Sequence, residues 1–360
     1  MPEPSRNDDL GYPIVIGYDL RGEVAGFVRR NAAPMVILCD GNRNVRAIAE
    51  SFADSLGRPQ VLPFPLGESR KRLRTVERVL DAMLRCGVER SSLVVGVGGG
   101  VACDLFGFAC AIYMRGIRYA HVATSLLAMV DAAIGGKTGV DLNGGKNLAG
   151  SFHDPAGVFC ELTALRTLPR RALREGLAEI VKAAIIEGGD FFDMLEELAA
   201  HPTPQWPWAS LIEAAVKVKT MTVADDRVEA GTREVLNLGH TFAHAIERGS
   251  GFQVAHGEAV AVGLRAAGLL ALRTGRFSEA EHFRVITLLT LLGLPLQTTV
   301  KPGDIVSAMH ADKKKRRGRL RFVLPRAIGD VESGVECDRR SVLTVATHLG
   351  RPPEKPHARR

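Results

Sequence analysis

The sequence predicts a Rossmann-like α/β domain with a doubly wound, mostly parallel sheet, followed by an all-α domain. Three observations carry this. Short apolar runs alternate with helical spacing through the first 165 residues. Beyond them, long segments of helical periodicity follow with few strand signals. A chain of 360 residues also suits two domains.

In order, Ile14–Gly17 and Met35–Cys39 (MVILC) read as buried strands. Val45–Leu56 has helical spacing, Gln60–Phe64 reads as a strand, and Leu73–Cys86 as a helix. Ser91–Val97 is a β-rich run that ends in glycines. Helical periodicity then marks Arg171–Glu187, Phe191–Ala200, Leu211–Ala224, Glu234–Gly249, Glu258–Thr274 and Glu279–Leu292, with a proline-rich loop at His201–Trp208. Leu320–Leu324 is a late strand. The boundary falls near residue 165: 1–165 as the α/β domain, 166–350 as the helical domain, and 351–360, rich in proline and arginine, as a disordered tail.

Composition narrows the function classes. Apolar residues make up 46% and charged residues 24%, as in ordinary globular proteins. No apolar run reaches the roughly 18 residues that span a bilayer. The N-terminus lacks the basic and apolar regions of a signal peptide. Six cysteines form no CxxC pair, which points to reduced thiols and a cytoplasmic location. The net charge of +7 suits nucleic acid or a small anionic substrate. Much of it lies in Lys313–Arg321 and the tail.

Val94–Asp104 (VVGVGGGVACD) places glycines between a strand and a helix start, where a backbone can approach a pyrophosphate. Val101 occupies the third glycine position of GxGxxG, so a bare tight turn is the rival reading. Gly135–Thr138 imitates the end of a Walker A loop. Asp131 stands where its first glycine belongs, which excludes that loop.

His240 and His244 lie four residues apart on one helix face, and His256 opens the next helix. Three such histidines without a nearby thiolate suit zinc with nitrogen and oxygen ligands. Thr241, Phe242 and Ala243 between the first two exclude a HExxH protease. Glu179 is the best third ligand. It sits amid Leu177, Ala178, Ile180 and Val181, where an unbound acid is costly. A plain helical pair with Lys182 is the bland alternative.

Five segments, GVGGGVACDLFGFACAIYMRG, SLLAMVDAAIGGKTGVDLNGGKNLAGSFHDP, LPRRALREGLAEIVKAAII, VLNLGHTFAHAIE and AHGEAVAVGL, closely resemble the 3-dehydroquinate synthase family of sugar-phosphate cyclases, from about Asp40 to Gly329. The resemblance implies conversion of 3-deoxy-D-arabino-heptulosonate 7-phosphate to 3-dehydroquinate and phosphate, in the shikimate pathway. The route is transient NAD-dependent oxidation, phosphate elimination, re-reduction and intramolecular aldol closure. It implies a homodimer with NAD and a divalent metal, usually zinc, with cobalt as an alternative. The metal ligands would be Glu179, His240 and His256, which moves His244 to the substrate. Asp40, Glu68, Lys71, Gly99, Gly100, Val101, Asp104, Thr124, Ser125, Thr167 and Leu168 would line the NAD site. Lys137, Lys146, Asn147, Lys182, Lys219, Arg233, Asn237, His244 and Lys314 match substrate positions, with Lys137 and Lys146 also beside the cofactor. Asp131 matches an acid for substrate hydroxyls, and Arg115 an arginine that reaches the neighbouring subunit's site. A ring of cations is what a substrate with a carboxylate and a phosphate demands.

The sequence departs from common family residues at Ala123, Ser125, Met129, Ala132, Ala133 and Asp141. None is a metal ligand or a substrate cation. Rival readings are the 2-deoxy-scyllo-inosose and 2-epi-5-epi-valiolone synthases, whose substrates lack the carboxylate that Lys219, Arg233 and Lys314 would bind. Amino-dehydroquinate synthase keeps that carboxylate. A glycerol dehydrogenase-like oxidoreductase would not need the GGKTGV and GGKN lysines. A basic nucleic-acid-binding protein would leave the histidines unexplained, so neither nucleic acid nor membrane is an expected partner.

Overall fold

Val36 and Leu38 point into one apolar core, and Ile37 and Cys39 into another. Such alternation belongs to a strand covered on both faces. This strand is β3 (Met35–Asp40) in the computed structural model, which describes residues 3–31, 35–229, 231–313 and 320–353. Lys314 and residues 354–360 of the expected tail lie outside the described residues. The chain divides into two compact units. One comprises Met1–Leu173 and Trp208–Ala224, the other Arg174–Pro207 and Asp225–Arg360.

The first unit is built on a seven-stranded sheet. Its strands are β1 (Ser5–Asn7), β2 (Ile14–Gly17), β3, β4 (Gln60–Phe64), β5 (Leu93–Gly98), β6 (Arg118–Ala123) and, after a separate hairpin, β9 (Gly157–Glu161). They lie in the order β1-β2-β9-β6-β5-β3-β4, parallel except for β1 on β2. Helices Arg21–Asn31 and Arg43–Ser55 cover one face, and Leu73–Arg85 and Gly100–Ile112 the other. The hairpin pairs β7 (Lys137–Leu142) with β8 (Gly145–Phe152). Gly139 and Gly150 oppose each other so closely that a Cβ on either meets facing backbone.

The remote Glu161 caps the first helix. Its buried carboxylate accepts the Asp19 and Leu20 N–H groups at 2.9 and 2.7 Å, and the Thr163 N–H and hydroxyl at 3.1 and 2.8 Å. An acid beside the start of Arg21–Asn31 satisfies orphan donors and complements the helix dipole.

The second unit is helical except for the hairpin β10 (Arg321–Ala327) and β11 (Asp330–Glu336). Its helices include Arg170–Glu187 from Arg174 onward, Gly189–Ala199, His256–Arg273 and Glu279–Leu291, each helix within a few residues of its expected bounds. The single helix expected over Glu234–Gly249 is broken. Thr232–Asn237 is a 3₁₀ turn, Gly239 is left-handed at φ +78°, and a new helix runs His240–Gly249. The periodicity continues across the break, but glycine frees the backbone there.

Periodicity did not reveal β1, β6, β7, β8, β9 or β11, nor helices Arg21–Asn31, Pro302–Lys313 and Arg339–His348. All six cysteines are free, and Cys39, Cys103, Cys110 and Cys160 are buried. Among the described residues no helix is long and apolar enough to cross a membrane.

Candidate active site

In the first unit the chain steps from β3 outward to β4, then returns to β5 on the other side of β3. The strand order reverses there, and open α/β sheets bind ligands outside the carboxyl ends of strands at such a point. Asp40 ends β3, and Gly98 ends β5. A Cβ at Gly98 would lie 3.6 Å from that of Asp40 and would strike Ala102. One at Gly99 would come within 3.0 Å of Ser125 Oγ, and one at Gly100 within 3.3 Å of Ala132. The glycines are thus required by packing as well as by any ligand. Gly100 and Val101 open helix Gly100–Ile112, whose free N–H groups suit a pyrophosphate. Thr124 N–H donates to the Gly98 carbonyl at 2.9 Å, tying β6 to the turn. Burial raises the Asp40 carboxyl above its ordinary value.

Lys71 is buried beside this turn. Its Nζ donates to Asp104 Oδ2 at 2.5 Å and to Asn147 Oδ1 at 2.6 Å. Burial alone would lower its pKa. Asp104, then Glu68 and Asp141, outweigh burial and hold it above the ordinary value. Asn147 is left-handed at φ +53°, fixed by its N–H on Asp141 Oδ1 at 2.8 Å. Lys146 pairs with Glu68 at 2.7 Å. Lys137 opens β7 and is exposed.

Asp131 lies in a single π-helical turn, Ala128–Ala132. The Lys219 ammonium contacts its carboxylate and donates to its carbonyl at 2.6 Å. Lys219 comes from helix Trp208–Asp225 and so is counted with the first unit. Thr167 and Leu168 end the 3₁₀ segment after β9, with Thr167 exposed and Leu168 half-buried. Arg115 is exposed and left-handed at φ +66°.

In the second unit Glu179, His240 and His256 converge, with one ligand atom of each within 4.8 Å of the others. Glu179 Oε1 lies 3.6 Å from His240 Nε2 and 3.4 Å from His256 Nε2. Donor atoms on a tetrahedral zinc with bonds of about 2.0–2.1 Å stand roughly 3.3 Å apart. Both Glu179 oxygens are buried and neither accepts a well-formed hydrogen bond. A group so placed calls for a cation, and the residues fit a metal. The Lys182 ammonium is in ion contact with Glu179. Burial would raise the Glu179 carboxyl, but Lys182, His240 and His256 hold it well below its usual range. Burial, then Lys182, lowers His240 to about 3. His244 stands outside the triad, its ring edge-on to His240 at 5.4 Å between centroids.

Glycines set this geometry. A Cβ at Gly263 would strike the Gly239 carbonyl, and one at Gly257 the backbone of Glu175. The first contact seats the His240 helix on the His256 helix. The second seats His256 one turn from Glu179.

Also in the second unit, Asp226 Oδ2 accepts the Gly231 and Arg233 N–H groups at 2.7 and 3.2 Å. The loop so formed buries Arg233, which donates to the Arg227 carbonyl at 2.7 Å. Asn237 donates to Glu229 at 2.8 Å. Asp226, Glu229 and Glu247 were not found from sequence. For Glu247 a signal existed: an acid two helical turns after His240.

Residues 61–175 match the family described as 3-dehydroquinate synthase N-terminal, and 176–315 that described as 3-dehydroquinate synthase C-terminal. The chain belongs to the 3-dehydroquinate synthase family. The 3-dehydroquinate synthase of Gloeobacter violaceus is 42% identical over 310 residues, 84% of each chain. Two solved structures of related cyclases share the fold. The 2-epi-5-epi-valiolone synthase of Streptomyces hygroscopicus subsp. jinggangensis, with NAD⁺ and Zn²⁺ bound, has TM-score 0.84 and 30% identity, covering 94% of this chain and 96% of its own. A 2-deoxy-scyllo-inosose synthase complexed with carbaglucose-6-phosphate, NAD⁺ and Co²⁺ has TM-score 0.84 and 25% identity, covering 93% and 96%. Both of those cyclases carry NAD⁺ and a divalent metal, and in this 3-dehydroquinate synthase family member Glu179, His240 and His256 could hold such an ion.

Proposed function

We propose that this chain is a 3-dehydroquinate synthase, converting 3-deoxy-D-arabino-heptulosonate 7-phosphate to 3-dehydroquinate and phosphate. The triad Glu179, His240 and His256, within a chain matched to this family from 61 to 315, carries the reading. When bound, NAD⁺ supplies a reversible hydride acceptor and the metal a Lewis acid.

The chain's own residues bind, orient and exclude water. Gly99, Gly100, Val101, Asp104, Thr124 and Ser125 would seat the dinucleotide at the turn, with Asp40, Glu68, Lys71, Thr167 and Leu168 completing its contacts. Glu179, His240 and His256 would hold the metal. Lys182 supplies positive charge beside them. Asp131 would accept substrate hydroxyl protons in hydrogen bonds, its charge balanced by Lys219. Lys137, Lys146, Lys182, Lys219 and Arg233 provide the cations for carboxylate and phosphate, with Lys314 expected to join them. Asn147, Asn237 and His244 supply further polar contacts. Within each unit, charged groups held in place in this way stabilise developing charge without reorganisation.

Sister cyclases share the scaffold at lower identity than the 42% relative. Their substrates would leave Lys219 and Arg233 without a carboxylate to bind. A homodimer is supported by apolar side chains exposed near Arg115 in sequence or on the hairpin: Ile112, Met114, Leu148 and Phe152. Light scattering at twice the chain mass is the expected result. Six free cysteines support a cytoplasmic location.

The deciding assay mixes protein, NAD⁺, zinc or cobalt, and the heptulosonate phosphate. Phosphate release without net NADH absorbance, abolished by chelation, is expected, with 3-dehydroquinate identified by mass spectrometry. No phosphate release from protein with metal and NAD⁺ bound would overturn the reading. Release from glucose 6-phosphate or sedoheptulose 7-phosphate instead would assign a sister cyclase.

A further inference from the structure

Glu247 stands outside the metal triad, yet it is only 1% exposed. A carboxylate buried to that degree is costly unless a partner compensates it. Its Oε1 lies 3.5 Å from His256 Nδ1. The other nitrogen of the same ring, Nε2, lies 3.4 Å from Glu179 Oε1. His256 is therefore an imidazole between two carboxylates, one at each nitrogen. An imidazole offers a metal one nitrogen. The hydrogen bond made by the other fixes its tautomer and its aim.

His240 shows the same division. Its Nδ1 lies 3.2 Å from the Leu238 carbonyl, and its Nε2 faces Glu179. His256 is the first residue of its helix and its side chain is 27% exposed, so its ring needs an anchor from elsewhere. Glu247 follows His240 by seven residues on helix His240–Gly249, which returns it to the same side two turns on. One helix thus carries a metal ligand and the partner of a ligand on its neighbour.

We propose that Glu247 is a positioning residue of the metal site: it accepts a hydrogen bond from His256 Nδ1–H and so aims Nε2 at the metal shared with Glu179 and His240. This rests on the triad being the metal site.

The test measures zinc affinity of the full chain by chelator competition, and the visible spectrum of the cobalt-substituted protein. Four proteins are compared: native, His256→Ala, Glu247→Leu and Glu247→Gln. Glu247→Leu removes the acceptor while filling the same buried space. Glu247→Gln restores a neutral acceptor. Loss of such an outer partner typically costs about 10–100-fold in metal affinity. The expected result is a loss of tenfold or more in Glu247→Leu with an altered cobalt spectrum, partly recovered in Glu247→Gln. A smaller loss in Glu247→Leu, or one that Glu247→Gln does not lessen, overturns the proposal. If Glu247→Leu does not fold, Glu247→Gln decides: a native cobalt spectrum and native affinity overturn it, and a change in either sustains it. Unchanged zinc affinity in His256→Ala would instead overturn the triad itself.

Discussion

Lys71 joins two elements far apart in the chain, the start of helix Gly100–Ile112 through Asp104 and the β7–β8 hairpin through Asn147. Lys71→Met leaves Asp104 facing a buried apolar chain. The expected cost is about 3 kcal/mol of stability, read by denaturant titration. NAD⁺ affinity should fall by about tenfold, read by calorimetry, since a lost charged hydrogen bond near a ligand costs roughly 1.5 kcal/mol or more. At this scale the sequence was legible where chemistry is costly. Glu179 stood out because an acid amid aliphatic residues needs a partner. The pairing of Asp131 with Lys219 was not legible, because it joins residues 88 apart. For Glu247 the spacing from His240 was legible, but its approach to His256 on another helix was not.

Among elements, the triad of Glu179, His240 and His256 depends on how closely three helices approach. Gly263 and Gly239 meet at one crossing, and Gly257 meets Glu175 at the other. Gly263→Ala places a methyl group against the Gly239 carbonyl. Overpacking of this kind costs about 1–3 kcal/mol. Because the helix carrying His240 must shift, zinc affinity should fall alongside the melting temperature, and chelator competition checks it. Glu161→Gln tests the other unit. The amide still accepts but loses the charge at the start of helix Arg21–Asn31, so stability should drop by about 1 kcal/mol in thermal melts. Strands with continuous apolar runs, such as β3 and β5, were readable in sequence. The β7–β8 hairpin was not. Its core contact is the single pair Val140 and Ala149, set among glycines and polar residues, so no apolar run marks it, and Gly139 and Gly150 let the strands approach. The helix break at Gly239 was hidden in the same way, since hydrophobic spacing carries no record of a positive φ.

Across the whole molecule, each unit holds a neutral histidine shielded from water, His121 buried in the first and His282 half-buried in the second. Burial lowers His121 from 6.5 to about 3 in the first unit. Burial, with Arg265 adding to it, lowers His282 from 6.5 to about 4 in the second. Both are uncharged in the fold near neutral pH. Below about pH 6.5 the unfolded chain takes up protons that the fold refuses, so stability is lost as pH falls. Each histidine contributes up to about 1.4 kcal/mol per pH unit within its window. For His282 the window closes near pH 4. Melting temperature measured from pH 7.5 to 4.5 should be flat above 6.5 and fall below it. His121→Asn should flatten part of the slope, and an unchanged slope would refute its role. The alternation of strand and helix was visible from composition and spacing alone, but not the return of a later helix to the first unit.

That return has a consequence for synthesis. Helix Trp208–Asp225 supplies Lys219 to Asp131 and Thr220 to Asp9 and Asn7, at 3.1 and 3.4 Å. A nascent chain that has reached Leu173 therefore has its whole seven-stranded sheet but not its last helix. Domains generally fold as units, N-terminal first during translation. Here that order cannot be completed until the ribosome has also made Arg174–Pro207, a segment of the other unit. A gene cut at residue 173 would yield a fragment with Asp131 missing its lysine and the N-terminal strand missing its cover. Limited proteolysis of that fragment, set beside one ending after residue 224, would expose the difference.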